Sequence, residues 1–432
     1  MRILIYSYNY HPEPIGIAPL MTELAEGLAA RGHQVRVVTA MPNYPERQIY
    51  PDYRGKGYHT ETRNGVTIQR SYVWIRPKPG LIKRILLDGS FVITSFVQAL
   101  RGWRPHVILF TAPPLPVCVP AAVLSRLYRC PVVLNLQDIL PEAAIHLGLV
   151  KNKLAICVFN ALERFAYRSA DSISVITEEF HENLLAKGVP PEKITCIPNW
   201  VDVEFIRPLP RQNAFRQAHS LQNKFVVMYS GNIGLTQGLK TVVSAAAQLR
   251  HVADIVFVIV GETQAIARLQ KLCGHYQASN VILLPFQPRS DLPEMLAAAD
   301  VGLIVQKRNV ISFNMPSKLQ LILASSRPVI ASVPLNGTAA HAVRQSSGGL
   351  VVPPEQADRL AEAVLQLYQN PQQAQAIAEQ GRHHAIEHYS FELALNRYET
   401  LFACLTAQPL PPPLRVSSQK SCLCNAPKKS QM

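Results

Sequence analysis

The stretch VVMYSGNIGLTQGLKTVV, residues 226–243, decides the fold. A β-branched apolar run enters a polar loop punctuated by Gly231, Gly234 and Gly238, and an amphipathic helix pattern leaves it. Strand, glycine-rich loop and helix N-terminus in that order make a cradle for phosphate: backbone N–H groups and the positive helix end point the same way. The loop lacks the Gly-Lys-Ser/Thr ending of a P-loop, and no GxGxxG follows the first strand of the chain, which argues against ATP hydrolysis of that type and against a nicotinamide or flavin dehydrogenase.

Outward from this loop the same alternation repeats. Downstream come strand patterns at 255–260, 281–284 and 301–305, separated by helix patterns at 238–249, 262–273 and 292–299. Upstream, Ile197–Arg211 holds Pro198, Pro208 and Pro210 and interrupts the pattern. Before it, strands are predicted at 2–7, 35–39, 107–110, 132–136 and 173–176, with a helix at 18–31 and a hairpin turning at Asn64-Gly65. This reads as an α/β chain of two Rossmann-like doubly wound domains facing across a cleft. The expected units are a first domain at 1–205, a second domain at 206–388, a final helix at 389–407, and a disordered basic tail at 408–432.

Composition agrees with that scale. The chain has 432 residues, enough for two cores, and 48% of them are hydrophobic. Lys and Arg number 43 against 29 Asp and Glu, a net charge of +14, so an anionic partner is expected. Nucleic acid fits poorly, because no nucleic-acid-binding motif appears. The eight cysteines form no CxxC pair and no Cys/His metal spacing, the habit of reduced thiols, and no metal is expected. The apolar run at 107–124 is broken by four prolines, so no transmembrane helix is expected and the chain reads as cytoplasmic. Val73–Pro105 mixes Arg76, Lys78, Lys83, Arg84, Arg101 and Arg104 with Trp74, Phe91, Phe96 and Trp103. It reads equally as a core helix with basic ends or as a segment lying on an anionic membrane.

Several residues stand where α/β enzymes keep their chemistry. Gln137, Asp138 and Glu142 follow a buried strand, with Asp138 open to a second reading as a helix cap. His11, Glu13 and Gly16 follow the first strand, where Gly16 admits a ligand to the backbone or serves a plain turn. Pro316-Ser317-Lys318 looks like a helix start, and a lysine in a first turn opposes the helix dipole. It serves either an anion or solvent.

With these loops, RGHQVRVVT (31–39), ITEEFHENLLAKGVPPEKITCIPNWVD (176–202) and ILLPFQPRSDLPEMLAAADVGLI (282–304), residues 1–405 resemble the retaining glycosyltransferases of family 4, which have the GT-B fold. SGNIGLTQGL, DILPE and PSK are most similar to the branch with colanic acid and N-acetyl-fucosamine transferases of surface polysaccharide synthesis. The resemblance implies a nucleotide-diphosphate sugar held by Gly231, Asn232, Gly234 and Gln237, with Lys318 and Ser317 at the phosphates. It places Gly261, Glu262 and Phe286 near the nucleoside, Gly16 at the donor phosphate from the first domain, and Gln137 and Asp138 beside a lipid-linked or saccharide acceptor. It implies no metal or other cofactor, and an enzyme on the cytoplasmic side of a membrane. The chain departs from the family pattern: Asn232 and Gln237 replace an Arg/Lys pair, the paired glutamates fall near Phe313 and Leu321, and Gln137 replaces a histidine. A nucleotide-sugar epimerase of the same fold and a sugar-nucleotide-binding subunit without turnover are the competing readings.

Overall fold

Runs such as VILFTA (Val107–Ala112) and VGLIV (Val301–Val305) are buried at every position, as strands covered on both faces must be. In the computed structural model they lie near the middle of two separate sheets. The structure describes residues 1–14, 16–44, 47–76, 81–139, 142, 152–234, 236–310 and 315–407. The expected tail at 408–432, Phe313, and most of the stretch linking Asp138 to Glu142 lie outside the described residues.

The first sheet has eight strands: β1 (Arg2–Tyr6), β2 (Gln34–Ala40), β3 (Tyr58–Arg63), β4 (Val66–Ser71), β5 (Val107–Ala112), β6 (Val132–Leu136), β7 (Ser172–Val175) and β8 (Ile194–Cys196). Their order is β3-β4-β2-β1-β5-β6-β7-β8, parallel except for the β3–β4 hairpin. Strand β3 (YHTETR) is polar and never fully buried, and accordingly it forms the edge. The second sheet has β9 (Phe225–Ser230), β10 (Ile255–Gly261), β11 (Val281–Pro285), β12 (Val301–Val305), β13 (Val329–Ser332) and β14 (Gly349–Val352), all parallel, in the order β11-β10-β9-β12-β13-β14. In both sheets the strand order reverses direction, at β1/β5 and at β9/β12. Those reversals open the crevices where α/β sheets bind ligands.

Each sheet carries an apolar cluster on either face. The helix Phe391–Thr406 packs Ala394, Leu395, Tyr398 and Phe402 into one cluster of the first sheet. Gly27 lets it come close: a Cβ there would sit 2.6 Å from Cζ of Phe391. The chain passes between the sheets twice, and the two passages pair. Val201 N–H donates to Tyr389 O at 2.8 Å, and Phe391 N–H donates to Val201 O at 3.0 Å. Glu399 fastens the last helix by accepting from Arg31 and meeting His33 Nε2 at 2.8 Å. Among the described residues the halves of the molecule are tied by the Arg289–Glu23 ion pair and by His341 Nδ1 meeting Glu179 at 3.1 Å.

The segment at 73–105 resolves into a helix, Leu81–Ala99, whose inner face buries Phe91, Ser95 and Ala99. The proline of Pro316-Ser317-Lys318 is a correction to the sequence reading. It precedes the N-cap Ser317, so Lys318, not Pro316, opens the helix Lys318–Ala324.

Candidate functional site

The glycine loop leaves β9 at the strand reversal of the second sheet. Gly231 has φ +139°, a value that suits glycine, and its N–H donates to Val260 O at 3.1 Å. The loop braces itself with its own polar groups. Tyr229 hydroxyl donates to Asn232 O at 2.7 Å, and Gly234 N–H donates to Gln237 Oε1 at 2.9 Å. Lys307 N–H donates to Thr236 O at 2.9 Å and ties the loop to the end of β12. Asn232 and Gly234 are exposed, whereas Gly238 is buried at the N-cap of the helix Leu239–Gln248. Gly261, at the end of β10, has no room for a side chain: a Cβ would lie 2.3 Å from Cδ1 of Ile233.

Lys318 reaches this loop from the start of its helix. Its Nζ lies 3.9 Å from the centre of the Tyr229 ring and 3.0 Å from the point a Cβ on Gly231 would occupy. It forms no ion pair among the described residues. Lys318 lines a small cavity with Met228, Ser230 and Leu321. With water withheld and no anion beside it, the ammonium falls to about 7. Ser317 is exposed and its side chain caps nothing. Glu262 is the N-cap of the helix Thr263–Tyr276, again without a side-chain cap bond, and its charge acts on Tyr44 of the first half. Phe286 is half-buried just past β11, beside Gln287, whose amide donates to Pro285 O at 2.8 Å.

On the opposing side, Gly16 is exposed with φ +72° and open space where a Cβ would stand. It immediately precedes Ile17, which caps the helix Ala18–Ala30 without a side-chain bond. Gln137 is held fast. Its Nε2 donates to Asn135 at 2.8 Å and to Asn199 at 3.1 Å, and Asn199 Nδ2 returns a bond to its Oε1 at 2.8 Å. Asn135 in turn donates to the Tyr398 hydroxyl at 2.6 Å, so the last helix supports this row. Asp138 comes next. More than a third of its surface is open, yet the protein around it withholds enough water to push its carboxyl up to about 6.

Glu142 is engaged elsewhere, pairing with Lys187 at 2.9 Å and accepting from Asn183 at 3.1 Å. Glu13 is buried and shapes a loop, accepting from the N–H groups of Asn43 and Tyr44 at 2.8 and 2.9 Å. Burial raises its carboxyl. The His11 imidazole is pushed down to about 4 by burial, with Arg63 and Arg70 adding to the effect.

This geometry converges on known proteins. One family model, the glycosyl transferase 4-like domain, matches residues 16–200, and a second, glycosyl transferases group 1, matches residues 211–384. The putative colanic acid biosynthesis glycosyl transferase WcaI of Escherichia coli (strain K12) is 35% identical over 75% of this chain and 81% of its own length. The chain belongs to glycosyltransferase family 4. Its fold is GT-B, similar to sucrose-phosphate synthase of Thermosynechococcus elongatus (TM-score 0.74, 18% identity, 94% of this chain and 99% of that one). It is likewise similar to Anabaena HepE, solved in complex with UDP-glucose (TM-score 0.69, 18% identity, 94% and 100%).

In this family 4 glycosyltransferase the sequence reading missed the groups that act on its chosen residues. Tyr229 sits under Lys318, Asn199 locks Gln137, and Tyr398 holds Asn135. A tyrosine two residues before a glycine loop and an asparagine after a strand carry no local signal of those pairings. Nor did the sequence point to a cavity of about 280 Å³ at the other strand reversal, beyond β1 and β5.

Proposed function

We propose that this glycosyltransferase moves a sugar from a nucleotide-diphosphate sugar to a lipid-linked or saccharide acceptor, with retained anomeric configuration, in the making of a surface polysaccharide. The observation that carries the reading is Lys318. A lysine drawn down to about 7 over an aromatic ring, against the backbone of a glycine loop, is a cation waiting for an anion. A diphosphate there would gain the Lys318 charge, the loop N–H groups and the N-terminus of the helix Leu239–Gln248. The polysaccharide context rests on the likeness to WcaI, and HepE makes UDP-sugars the first donors to try.

In this reading Gly231, Asn232 and Gly234 line the diphosphate and Gln237 keeps their loop in shape. Gly261, Glu262 and Phe286 flank the nucleoside, with Gly261 leaving the space that Ile233 fills. Ser317 offers a free hydroxyl beside Lys318, and Gly16 meets the donor phosphate from across the cleft. The C1–oxygen bond to the diphosphate breaks as the acceptor oxygen bonds to C1. The acceptor proton passes to the leaving diphosphate or to Asp138, whose carboxyl near 6 is ionised at neutral pH and poised as a base. Gln137 orients the Asp138 segment through its bonds to Asn135 and Asn199. The departing charge falls on Lys318 and the loop amides.

In the same reading the enzyme works at the cytoplasmic membrane surface. Among the described residues no helix is long and apolar enough to cross a membrane. Yet Ile85, Leu86, Ile93, Val119, Val123 and Leu154 stand exposed on neighbouring helices of the first half. A panel of UDP- and GDP-sugars, scored first by thermal shift and then by product mass with a lipid-diphosphate sugar acceptor, tests the reading. Binding without any turnover across the panel would refute transfer.

A further inference from the structure

The chain that joins the two sheets is bonded along its length to elements that carry the site. Asn199, Trp200 and Val201 follow one another just past β8, and each is taken by a different partner. The Asn199 amide exchanges hydrogen bonds with Gln137, one residue before Asp138. Trp200 Nε1 donates to Glu23 Oε2 at 3.0 Å. Val201 pairs its backbone with Tyr389 and Phe391, where the chain returns to the first sheet. Trp200 is buried, with the Phe391 and Tyr398 rings each 6.0 Å away, so its indole has little freedom to turn from Glu23.

The second half grips the same segment further along. Asp202 Oδ1 accepts from the N–H groups of Glu204 and Phe205 at 2.9 and 3.0 Å, and Ile206 N–H donates to Asp202 O at 2.8 Å, which folds this stretch into a turn. Arg382 donates to Val203 O at 3.0 Å, to Ile206 O at 2.9 Å and to Ala324 O at 2.8 Å. Ala324 ends the helix that Lys318 opens, so one guanidinium fixes the turn against the element that places the lysine. Glu23 adds a further tie. Its other oxygen pairs with Arg289, three residues past Phe286, and the Arg289 guanidinium lies 5.5 Å from the centre of the Phe205 ring. Glu23 itself stands on the helix Ala18–Ala30, just behind Gly16.

Residues 199–206 therefore meet the neighbours of four site residues: Gln137 beside Asp138, the helix behind Gly16, the turn after Phe286 and, through Arg382, the helix of Lys318. A segment that only joined two domains would need apolar packing and no separate polar partner at each of these places. Hydrogen bonds and ion pairs are directional, and they hold distances that packing alone leaves loose.

We propose that residues 199–206 act as a strap that sets the spacing between Asp138 and the diphosphate at Lys318, with Asn199 and Glu23 as its positioning residues. The proposal rests on the transferase reading above and deepens it, by naming the side chains that keep the two half-sites in register. Asn199 acts through Gln137, and Glu23 acts through Trp200 and Arg289.

One test needs only UDP-glucose binding. The full chain labelled with fluorotryptophan gives one fluorine resonance for each of its three tryptophans, and that of Trp200 is the one that survives in both Trp74→Phe and Trp103→Phe. It should move as UDP-glucose is added, along the same curve as calorimetric binding. Glu23→Gln should bind UDP-glucose within about twofold of the parent yet lose that movement. The second test is kinetic, with the donor and acceptor that the parent turns over. Glu23→Gln and Asn199→Ala should each lower kcat about tenfold and leave the donor KM within about twofold. Because both loosen one strap, the double variant should also lose about tenfold, not the roughly hundredfold of independent sites. Arg289→Lys should restore most of the rate that Arg289→Ala loses. A Trp200 resonance that stays still at saturating UDP-glucose would overturn the proposal, as would multiplying losses in the double variant or a change in donor KM in place of kcat. A parent that binds UDP-glucose and moves Trp200 but transfers to no acceptor would count against transfer while supporting the strap, so the two failures are told apart.

Discussion

Raising the pH from 7 to 8.5 should weaken the binding of UDP-glucose about fifteenfold, and Lys318 is the reason. Its ammonium is pushed down to about 7 because burial strips its water and, among the described residues, nothing charged offsets the loss. At pH 7 about half of the free protein carries the proton, and at pH 8.5 about 3% does. A bound diphosphate supplies the missing counter-charge and returns the group toward the ordinary lysine range. Only the protonated form gains from the ligand, so affinity falls as pH rises above 7 and levels off below it. Tyr229, the ring beneath the ammonium, does not interfere, because burial drives its hydroxyl pKa far above this window. A nucleotide sugar is the right ligand, since both of its phosphates are fully ionised throughout. Calorimetry in two buffers of different ionisation heat should show uptake of about 0.9 proton per ligand at pH 8. Lys318→Arg should bind with a flat profile, because a guanidinium does not titrate in this range. A flat profile in the parent protein, with no proton uptake, would refute the placement of the diphosphate against Lys318.

Three further outcomes follow from other parts of the molecule. With Asp138 as the base, kcat/KM should fall below about pH 6 as its carboxyl takes up a proton; Asp138→Asn should lose that acid limb and at least about a hundredfold in rate, and a surviving limb would assign the base elsewhere. Gly261→Ala drives a methyl group to 2.3 Å from Ile233, so it should cost about 1–3 kcal/mol and raise the Kd for UDP-glucose, whereas an unchanged Kd would show that Ile233 yields without moving the loop. Tyr398→Phe removes a buried partner of Asn135 and Ser174, and urea unfolding should show a loss of about 1–2 kcal/mol with donor affinity unaltered; equal stability would mean that water or a rotated amide replaces the hydroxyl.

The architecture was largely legible in the chain because its signals are local. A buried strand declares itself by consecutive apolar residues, and the turn from β9 into the helix Leu239–Gln248 by glycines within a few positions of each other. Short strands escaped: Ile194–Cys196, Val329–Ser332 and Gly349–Val352 have three or four residues each, too few for a period to show. The candidate site was legible only in part. Its glycines and Lys318 stood out as residue types in suggestive places, but the electrostatics that give Lys318 its character come from a ring on β9 and an apolar neighbour at Leu321.

Sequence by itself determined the two mostly parallel sheets, the glycine loop and the choice of a lysine at the opening of its helix, since each depends on residues a turn or a strand apart. Tertiary structure decided that Tyr229 lies beneath that lysine, that Asn199 locks Gln137, and that Arg47, Arg76 and Lys83 surround one cavity. Strand order makes those meetings: crossovers bring β1 beside β5 and β9 beside β12, and the loops at their ends converge however far apart they are along the chain. Periodicity records which face of an element is buried, and carries no record of which other element it is buried against.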